Sequence, residues 1–248
     1  MSSRNPRADE ATPGGGLSMG RARFPSTSGH GEVPGVPPRA PLRVSSWAMM
    51  LKIVQAGEPV LRRRARDLTP EEMTSPAVRQ LITLMRETMR DAPGVGLAAP
   101  QVGVDVRLAV IEDRAEYQAA LSPEELAARE REPVDFHVII NPRLTVEDPE
   151  PVEFYEGCLS VSGFSALVRR ARAVRVEAFN ENGEAITLQA RGWYARILQH
   201  EIDHLDGTLY LDRMEPRSFT TLENHRRHWA SRQVAEVRQV LGLSERQG

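Results

Sequence analysis

Apolar residues recur at helical spacing between Ser75 and Met89: Val78, Leu81, Ile82, Met85 and Met89 fall on one face. Ser75 is placed to cap the N-terminus, and Pro76 follows in the first turn, where a missing N–H is harmless. The pattern then changes period. Val106 to Ile111 and Val138 to Ile140 are short apolar runs that read as strands. Val174, Val176 and Ala178 alternate with Arg175, Glu177 and Phe179, Asn182-Gly183 offers a tight hairpin turn, and Ile186 and Leu188 resume the alternation. From Ser122 to Glu132 the chain is charged and opens on a capping-box pattern between Ser122 and Glu125, so it reads as a surface insertion between strands. A final helix is predicted from Ser218 to about Val240. The chain is mixed α and β, without internal repeats.

A second helical stretch carries chemistry. Trp193, Ile197, His200 and His204 recur at spacings of three to four and share a face. Within it, His200-Glu201-Ile202-Asp203-His204 is an H-E-x-x-H motif: two imidazoles one turn apart can reach one metal ion, with Glu201 beside it to move a proton. Spacing alone fits Trp193 and Ile197 equally well as core residues or as walls of an apolar cavity beside the metal. A catalytic site of this kind takes three protein ligands and keeps one position open. Cys158, the lone cysteine, lies in Glu156-Gly157-Cys158-Leu159-Ser160 and is the leading candidate for the third, although by itself it would read as a small buried hydrophobe. One zinc-protease pattern needs a third histidine where Tyr210 stands, although Gly207 matches its glycine and would equally cap the helix. Glu215 and Glu223 are available as a downstream carboxylate ligand, so a zinc endopeptidase stays open as the alternative.

Gly94 to Gly103 forms a small-residue loop between a helix and a strand. No Gly-Lys-Ser/Thr follows it, which removes the phosphate-loop reading; Ala99 stands where a dinucleotide fingerprint needs its third glycine, and the loop does not lead from a strand into a helix. The three segments GVGLAAPQVG, EGCLS and QHEIDH, in this order, resemble the peptide deformylase family from about Ile53 to Met214. Gly192 to Ile197 and Cys158 to Phe164 resemble the subclass of mitochondria, plastids and some bacteria. Ser162 departs from the proline of most bacterial members, at the rim of the site and away from its ligands.

The resemblance implies an α+β fold with antiparallel β-sheets packed around a central metal-binding helix. It implies hydrolysis of the formyl group from N-formylmethionyl nascent peptides, with release of formate. Cys158, His200 and His204 would hold Fe²⁺, for which Zn²⁺, Ni²⁺ or Co²⁺ can stand in; intrinsic affinity favours zinc, and a thiolate beside Fe²⁺ is sensitive to oxidation. Glu201 would move the proton, and the Gln101 side-chain amide with the Leu159 backbone N–H would stabilise the oxyanion. The backbone at Val95 and Gly96 would pair with the peptide, while Trp193, Ile197, Phe154 and Val95 would enclose the methionine side chain. A third reading is a non-catalytic metal-stabilised binding module at the ribosome.

Composition narrows the setting. A net charge of -2 gives no bias toward nucleic acid or membrane, and no run approaches a membrane-spanning length. The partners expected are formylated nascent peptides, with transient ribosome contact. One cysteine excludes a disulfide framework and suits a reducing compartment. Lys52 is the only lysine, a bias that suits a GC-rich bacterial genome and hence a bacterial cytoplasm. Residues 1–45 are rich in Gly, Pro, Ser and Arg and read as a disordered tail, or as an upstream extension of a chain starting at Met49 or Met50. Their basic character also fits an organelle transit peptide, which Gly14-Gly15-Gly16 and the Pro34 to Pro38 stretch oppose. The catalytic domain is placed at 46–216, followed by a C-terminal helix and tail at 217–248.

Overall fold

The computed structural model describes residues 50–243; the tail expected over 1–45 and the start at Met49 lie outside them. A 3-10 turn at Pro59–Arg62 and a short helix α1, Pro70–Met73, lead into α2, Pro76–Asp91. The Ser75 hydroxyl accepts from the Val78 N–H at 3.3 Å, as its position predicts. Val78, Ile82, Met85 and Met89 are buried along one face of α2, and Leu81 is partly buried beside them.

Five strands follow: β1 (Gly96–Ala98), β2 (Leu108–Asp113), β3 (Val134–Cys158), β4 (Val161–Phe179) and β5 (Ala185–Arg191). They pair antiparallel in the order β1-β2-β3-β4-β5, and a two-residue strand β6, Thr220–Thr221, pairs with β4. The expected sheets therefore form one continuous hydrogen-bonded path. Continuity comes from the lengths of β3 and β4, which absorb register shifts between Ile140 and Arg143, Val146 and Asp148, Asp148 and Pro151, and Gly157 and Cys158. The strand expected from Val106 is β2 and starts at Leu108, while Val106 forms an isolated bridge to Arg66. The hairpin after β4 forms as the Asn182-Gly183 signal predicts, with a loop over 180–184 in which the Asn180 side chain accepts from the Asn182 and Glu184 N–H groups.

The β1–β2–β3 part of the sheet is covered on both faces. Leu97, Leu108, Val110, Val138 and Ile140 pack against α2. Their neighbours Ala98, Ala109, Ile111 and Ile139 pack against Ala195, Leu198, Ile202 and Leu205 of helix α5, Gly192–Leu205. Side chains alternate across a strand, so a strand buried on both faces needs an unbroken apolar run, which Leu108-Ala109-Val110-Ile111 supplies. Ala98 and Ala109 are small and let α5 lie close. The helix carrying the H-E-x-x-H sequence thus covers one face of this part of the sheet, and α2 covers the other.

One expectation is corrected. The C-terminal stretch is not one helix. Phe219-Thr220-Thr221 is extended and lies against β4, as aromatic and β-branched residues favour. Thr221 then caps a helical segment, α6 at Leu222–Asn224 continuing as a π-helical turn to Trp229, and the extended Gln233 separates it from α7, Val234–Val240. A short helix α3, Ala115–Gln118, precedes the charged insertion, which contains α4, Pro123–Ala128, opened by the Ser122–Glu125 capping box. It lies between β2 and β3 as expected, and its end is anchored: Arg131 makes a two-pronged pair with the fully buried Asp113 at 2.7 and 2.8 Å.

α5 ends as Gly207 predicts. The Thr208 N–H donates to the Asp203 carbonyl at 2.8 Å and the Gly207 N–H to the His204 carbonyl at 3.2 Å, the paired bonds of a Schellman cap. Gly207 has φ +75°, and a Cβ there would stand 2.9 Å from the Arg62 and Arg63 backbone. Gly207→Ala should therefore lower unfolding stability by more than the roughly 1 kcal/mol of a left-handed alanine. Urea unfolding checks this, and a change under about 0.5 kcal/mol would contradict the packing described.

Candidate metal centre

Three side chains converge where the β3–β4 turn meets α5. The ligand atoms of Cys158, His200 and His204 all lie within 4.8 Å of one another. Cys158 occupies the last position of β3, opposite Val161, so only Leu159 and Ser160 form the turn. Cys158 Sγ stands 3.3 Å from His204 Nε2, near the ~3.5 Å that tetrahedral bonds of ~2.3 Å to sulfur and ~2.0 Å to nitrogen subtend. A thiolate with two imidazoles fits a divalent ion of zinc or iron type. Glu215 and Glu223 are not in this group, which leaves Cys158 as the third donor beside the histidines. Tyr210 packs with Val161, Ala166 and Val168, its ring 6.4 Å from that of His200.

Glu156, which the sequence reading did not use, organises the centre. Two residues before Cys158 on β3, it is 6 % exposed. Its carboxylate accepts from Arg170 at 2.9 and 2.9 Å, from Arg196 at 2.6 Å, and pairs with His200 Nδ1 at 3.1 Å. With Nδ1 engaged, His200 presents Nε2 to the centre, as second-shell carboxylates do for metal-binding histidines. Burial pushes the Glu156 carboxyl up, but Arg170, His200 and Arg196 prevail and hold it well below the usual carboxylate range. Burial lowers His200, yet Cys158 and Glu156 outweigh it and raise it well above the ordinary value; a metal cation would take the place of that proton. Burial, with the neighbouring charge of His200, keeps His204 well below its ordinary value and so neutral, the form a ligand needs.

Glu201 is buried beside the ligands, with Oε2 lacking a partner among the described residues. Burial raises its pKa to about 7. Gly96 of β1 makes room for it, since a Cβ at Gly96 would fall 2.2 Å from Glu201 Oε1. The Glu112 N–H takes the Val95 carbonyl at 3.1 Å, so ladder alternation turns the Gly96 N–H and C=O away from β2. Of the two residues expected to pair with a peptide, Val95 has its carbonyl engaged by Glu112, and Gly96 has its backbone groups turned away from β2.

Gln101 is buried, and its orientation is set by its partners. Oε1 accepts from the Ala98 N–H at 2.8 Å, which aims Nε2 at Cys158 Sγ, 3.5 Å away, and at Ser160 Oγ, 3.3 Å away. The Leu159 carbonyl is engaged by Gln55 and Ser162, both at 3.0 Å, which fixes the turn carrying its N–H. A cavity of about 480 Å³ opens beside these groups, lined by Val95, Trp193, Ile197 and Leu159. Phe154 is not in its wall. It sits behind Trp193, ring centroids 6.2 Å apart, and Tyr155 lines the cavity instead. The insertion covers the same aromatic, with Arg129 and Arg131 at 5.4 and 5.0 Å from the Trp193 ring.

Converging thiol and imidazoles, a buried carboxylate and an aimed amide have the make-up of a metal-assisted hydrolase. The polypeptide deformylase family matches residues 50–219, and the chain belongs to that family. It is 49% identical over 175 residues to peptide deformylase 1A, chloroplastic, of Solanum lycopersicum, with 71% of this chain and 63% of that protein aligned. The chain thus spans a little under two thirds of that plant relative. It is 45% identical to peptide deformylase 3 of Streptomyces avermitilis, covering 78% of this chain and 84% of the other. The structure superimposes on a Met-Ala-Ser-bound class I type b peptide deformylase from Acinetobacter baumannii with TM-score 0.60 and 31% identity, over 67% of this chain and 99% of that one.

Glu156→Gln should leave Arg170 and Arg196 without their buried counter-charge and His200 without its anchor. Metal affinity, read by competition with a chromophoric chelator, should fall about tenfold to hundredfold. Urea unfolding should show a loss of about 3 kcal/mol or more. Unchanged metal affinity would contradict the positioning role.

Proposed function

We propose that this chain hydrolyses the formyl group from the N-terminal formylmethionine of newly made peptides, leaving formate and a free amine. The observation that carries the reading is the placement of buried Glu201 beside three convergent donor atoms and the aimed Gln101 amide, at one end of an apolar cavity. The Met-Ala-Ser held by the Acinetobacter baumannii relative begins with the residue such a reaction would leave. A zinc endopeptidase is not favoured, because the donor group contains the thiol and no downstream carboxylate.

Cys158, His200 and His204 would hold one divalent ion, proposed here as Fe²⁺. When bound, the ion supplies Lewis acidity that lowers the pKa of water from ~15.7 toward ~7. Trp193, Ile197 and Val95 receive the methionine side chain, and the Gly96 backbone pairs with the peptide. Glu201 takes a proton from water as it adds to the formyl carbonyl, then returns it to the departing amine. The Gln101 Nε2–H and the Leu159 N–H donate to the oxygen on which negative charge develops; losing one such donor costs roughly 3–4 kcal/mol of transition-state stabilisation. The proposed setting is a bacterial cytoplasm, with transient contact at the ribosome. Among the described residues no helix is long and apolar enough to cross a membrane.

Formate release from formyl-Met-Ala-Ser, with acetyl-Met-Ala-Ser as the control, tests the proposal. Rapid turnover of the first and none of the second is expected; equal turnover of both, or internal peptide cleavage, would refute it. Glu201→Gln should retain metal but lose at least about a hundredfold in kcat. Near-normal turnover of a metal-loaded Glu201→Gln protein would remove the assigned role. Cys158→Ala should lose metal and activity together, and full occupancy with turnover would place the third ligand elsewhere. Glu201 must be ionised to act as a base, so kcat/KM should fall as pH drops through its pKa. That pKa is about 7 from burial, and a bound cation beside it moves the limb lower. Activity that rises on acidification from pH ~7 to ~5 would contradict the base assignment.

A further inference from the structure

A second cavity lies against another face of α5. It encloses about 610 Å³ and shares no lining residue with the cavity beside the metal centre. Ile197, His200 and Glu201 line the catalytic cavity, whereas Gln199, Ile202 and Asp203, again three to four residues apart, line this one. The opposite walls come from β3 between Pro142 and Pro151, where the strand shifts register, and from β4 at Arg169 to Ala171. Glu156 stands between the two cavities: it takes Arg170 from this one and Arg196 from the catalytic one.

Arginine dominates the lining. Arg64, Arg107, Arg143, Arg169, Arg170 and Arg213 face two carboxylates, Asp203 and Asp206. Counter-charges from outside do not restore the balance. Asp67 pairs with Arg107, Glu153 with Arg169 and Glu156 with Arg170. Glu153 and Glu156 also serve Arg238 and Arg196, which do not line the cavity. Eight arginines thus share five carboxylates, an excess of three positive charges. Part of that excess is open to a ligand. Arg143 is exposed and has no carboxylate partner among the described residues. Arg64 reaches only Asp206 Oδ1, at 3.8 Å, and Arg107 holds that same oxygen at 2.5 Å. Arg107 and Arg170 are each only 5% exposed, so the floor of the cavity carries charge held away from water rather than a solvated fringe.

We propose that this cavity binds a compact anion carrying two or more phosphate groups, with Arg64 and Arg143 at the rim as its first contacts. Charge selects the ligand: a lone carboxylate would leave most of the excess uncompensated, whereas each phosphate group brings nearly two negative charges. Guanidinium forks also match phosphate oxygens two at a time. Shape selects a small molecule over the extended backbone of a nucleic acid, because the site is concave and its volume falls within the roughly 300–1,000 Å³ of small-molecule sites.

Calorimetric titration of the metal-loaded full chain with inorganic pyrophosphate at low ionic strength tests the proposal, with metal content measured before and after. Saturable binding at one site per chain is expected. Arg143→Gln and Arg64→Gln should each weaken it about tenfold, the loss of one charge-assisted hydrogen bond, without changing the melting temperature or the metal content. Arg79→Gln, on α2 across the sheet, should bind as the wild type does. No binding at millimolar pyrophosphate, or full binding by both rim variants, would overturn the site. Heat that tracks loss of metal equally in every protein would show chelation alone and overturn it too. A short single-stranded RNA that binds through Arg64 and Arg143 while pyrophosphate does not would overturn the compact anion and assign these arginines to a polymer.

Discussion

The arrangement depends on one buried carboxylate. Glu156 comes from β3, Arg170 from β4, and Arg196 and His200 from α5, and all meet within hydrogen-bond distance in a space nearly closed to water. A carboxylate in such a place is tolerated only with opposite charge and hydrogen bonds on it. The same bonds that meet that requirement clamp the hairpin to the helix and fix the ring of His200. Asp203, inside the H-E-x-x-H motif, extends the clamp: it pairs with Arg170 and takes Arg213 at 2.6 and 2.7 Å. Both variable positions of the motif are thus structural. Ile202 enters the core against the sheet and Asp203 holds the charge network.

Closeness of packing does the rest. The backbone of β1 approaches α5 so nearly that Glu201 occupies the place where a side chain at Gly96 would stand. This closeness excludes water from the carboxylate and raises its pKa toward neutrality, where a general base works best. Behind the cavity, the guanidinium groups of Arg129 and Arg131 lie over the Trp193 ring. The charged insertion therefore backs the wall that would meet the substrate's first side chain.

Much of this was legible in the sequence because it is local. The face of α2 follows from its apolar spacing, the α5 cap from Gly207, and the two-histidine ligand pair from a four-residue repeat. Cys158 was reached from the donor count a metal needs. What was not legible depends on distant pairings. β3 carries Pro149 and Pro151 and shifts register four times, so its period is broken and most of its 25 residues gave no strand signal. Glu156 reads as an ordinary acid until Arg170 and Arg196 are seen around it; its i, i+2 spacing from Cys158 was the one available clue. Phe154, expected in the cavity wall, packs against Trp193 outside it. The helix expected from Ser218 gave way to strand pairing because nothing local announces that the edge of β4 is open there.

The central claim is that Glu156, by fixing His200, brings one sulfur and two imidazole nitrogens onto one metal ion beside Glu201. X-ray absorption at the metal edge of the purified protein tests it most directly. The account predicts one sulfur scatterer at ~2.3 Å and two imidazole nitrogens at ~2.0–2.1 Å. A shell of nitrogen and oxygen without sulfur, or with a single imidazole, would contradict it.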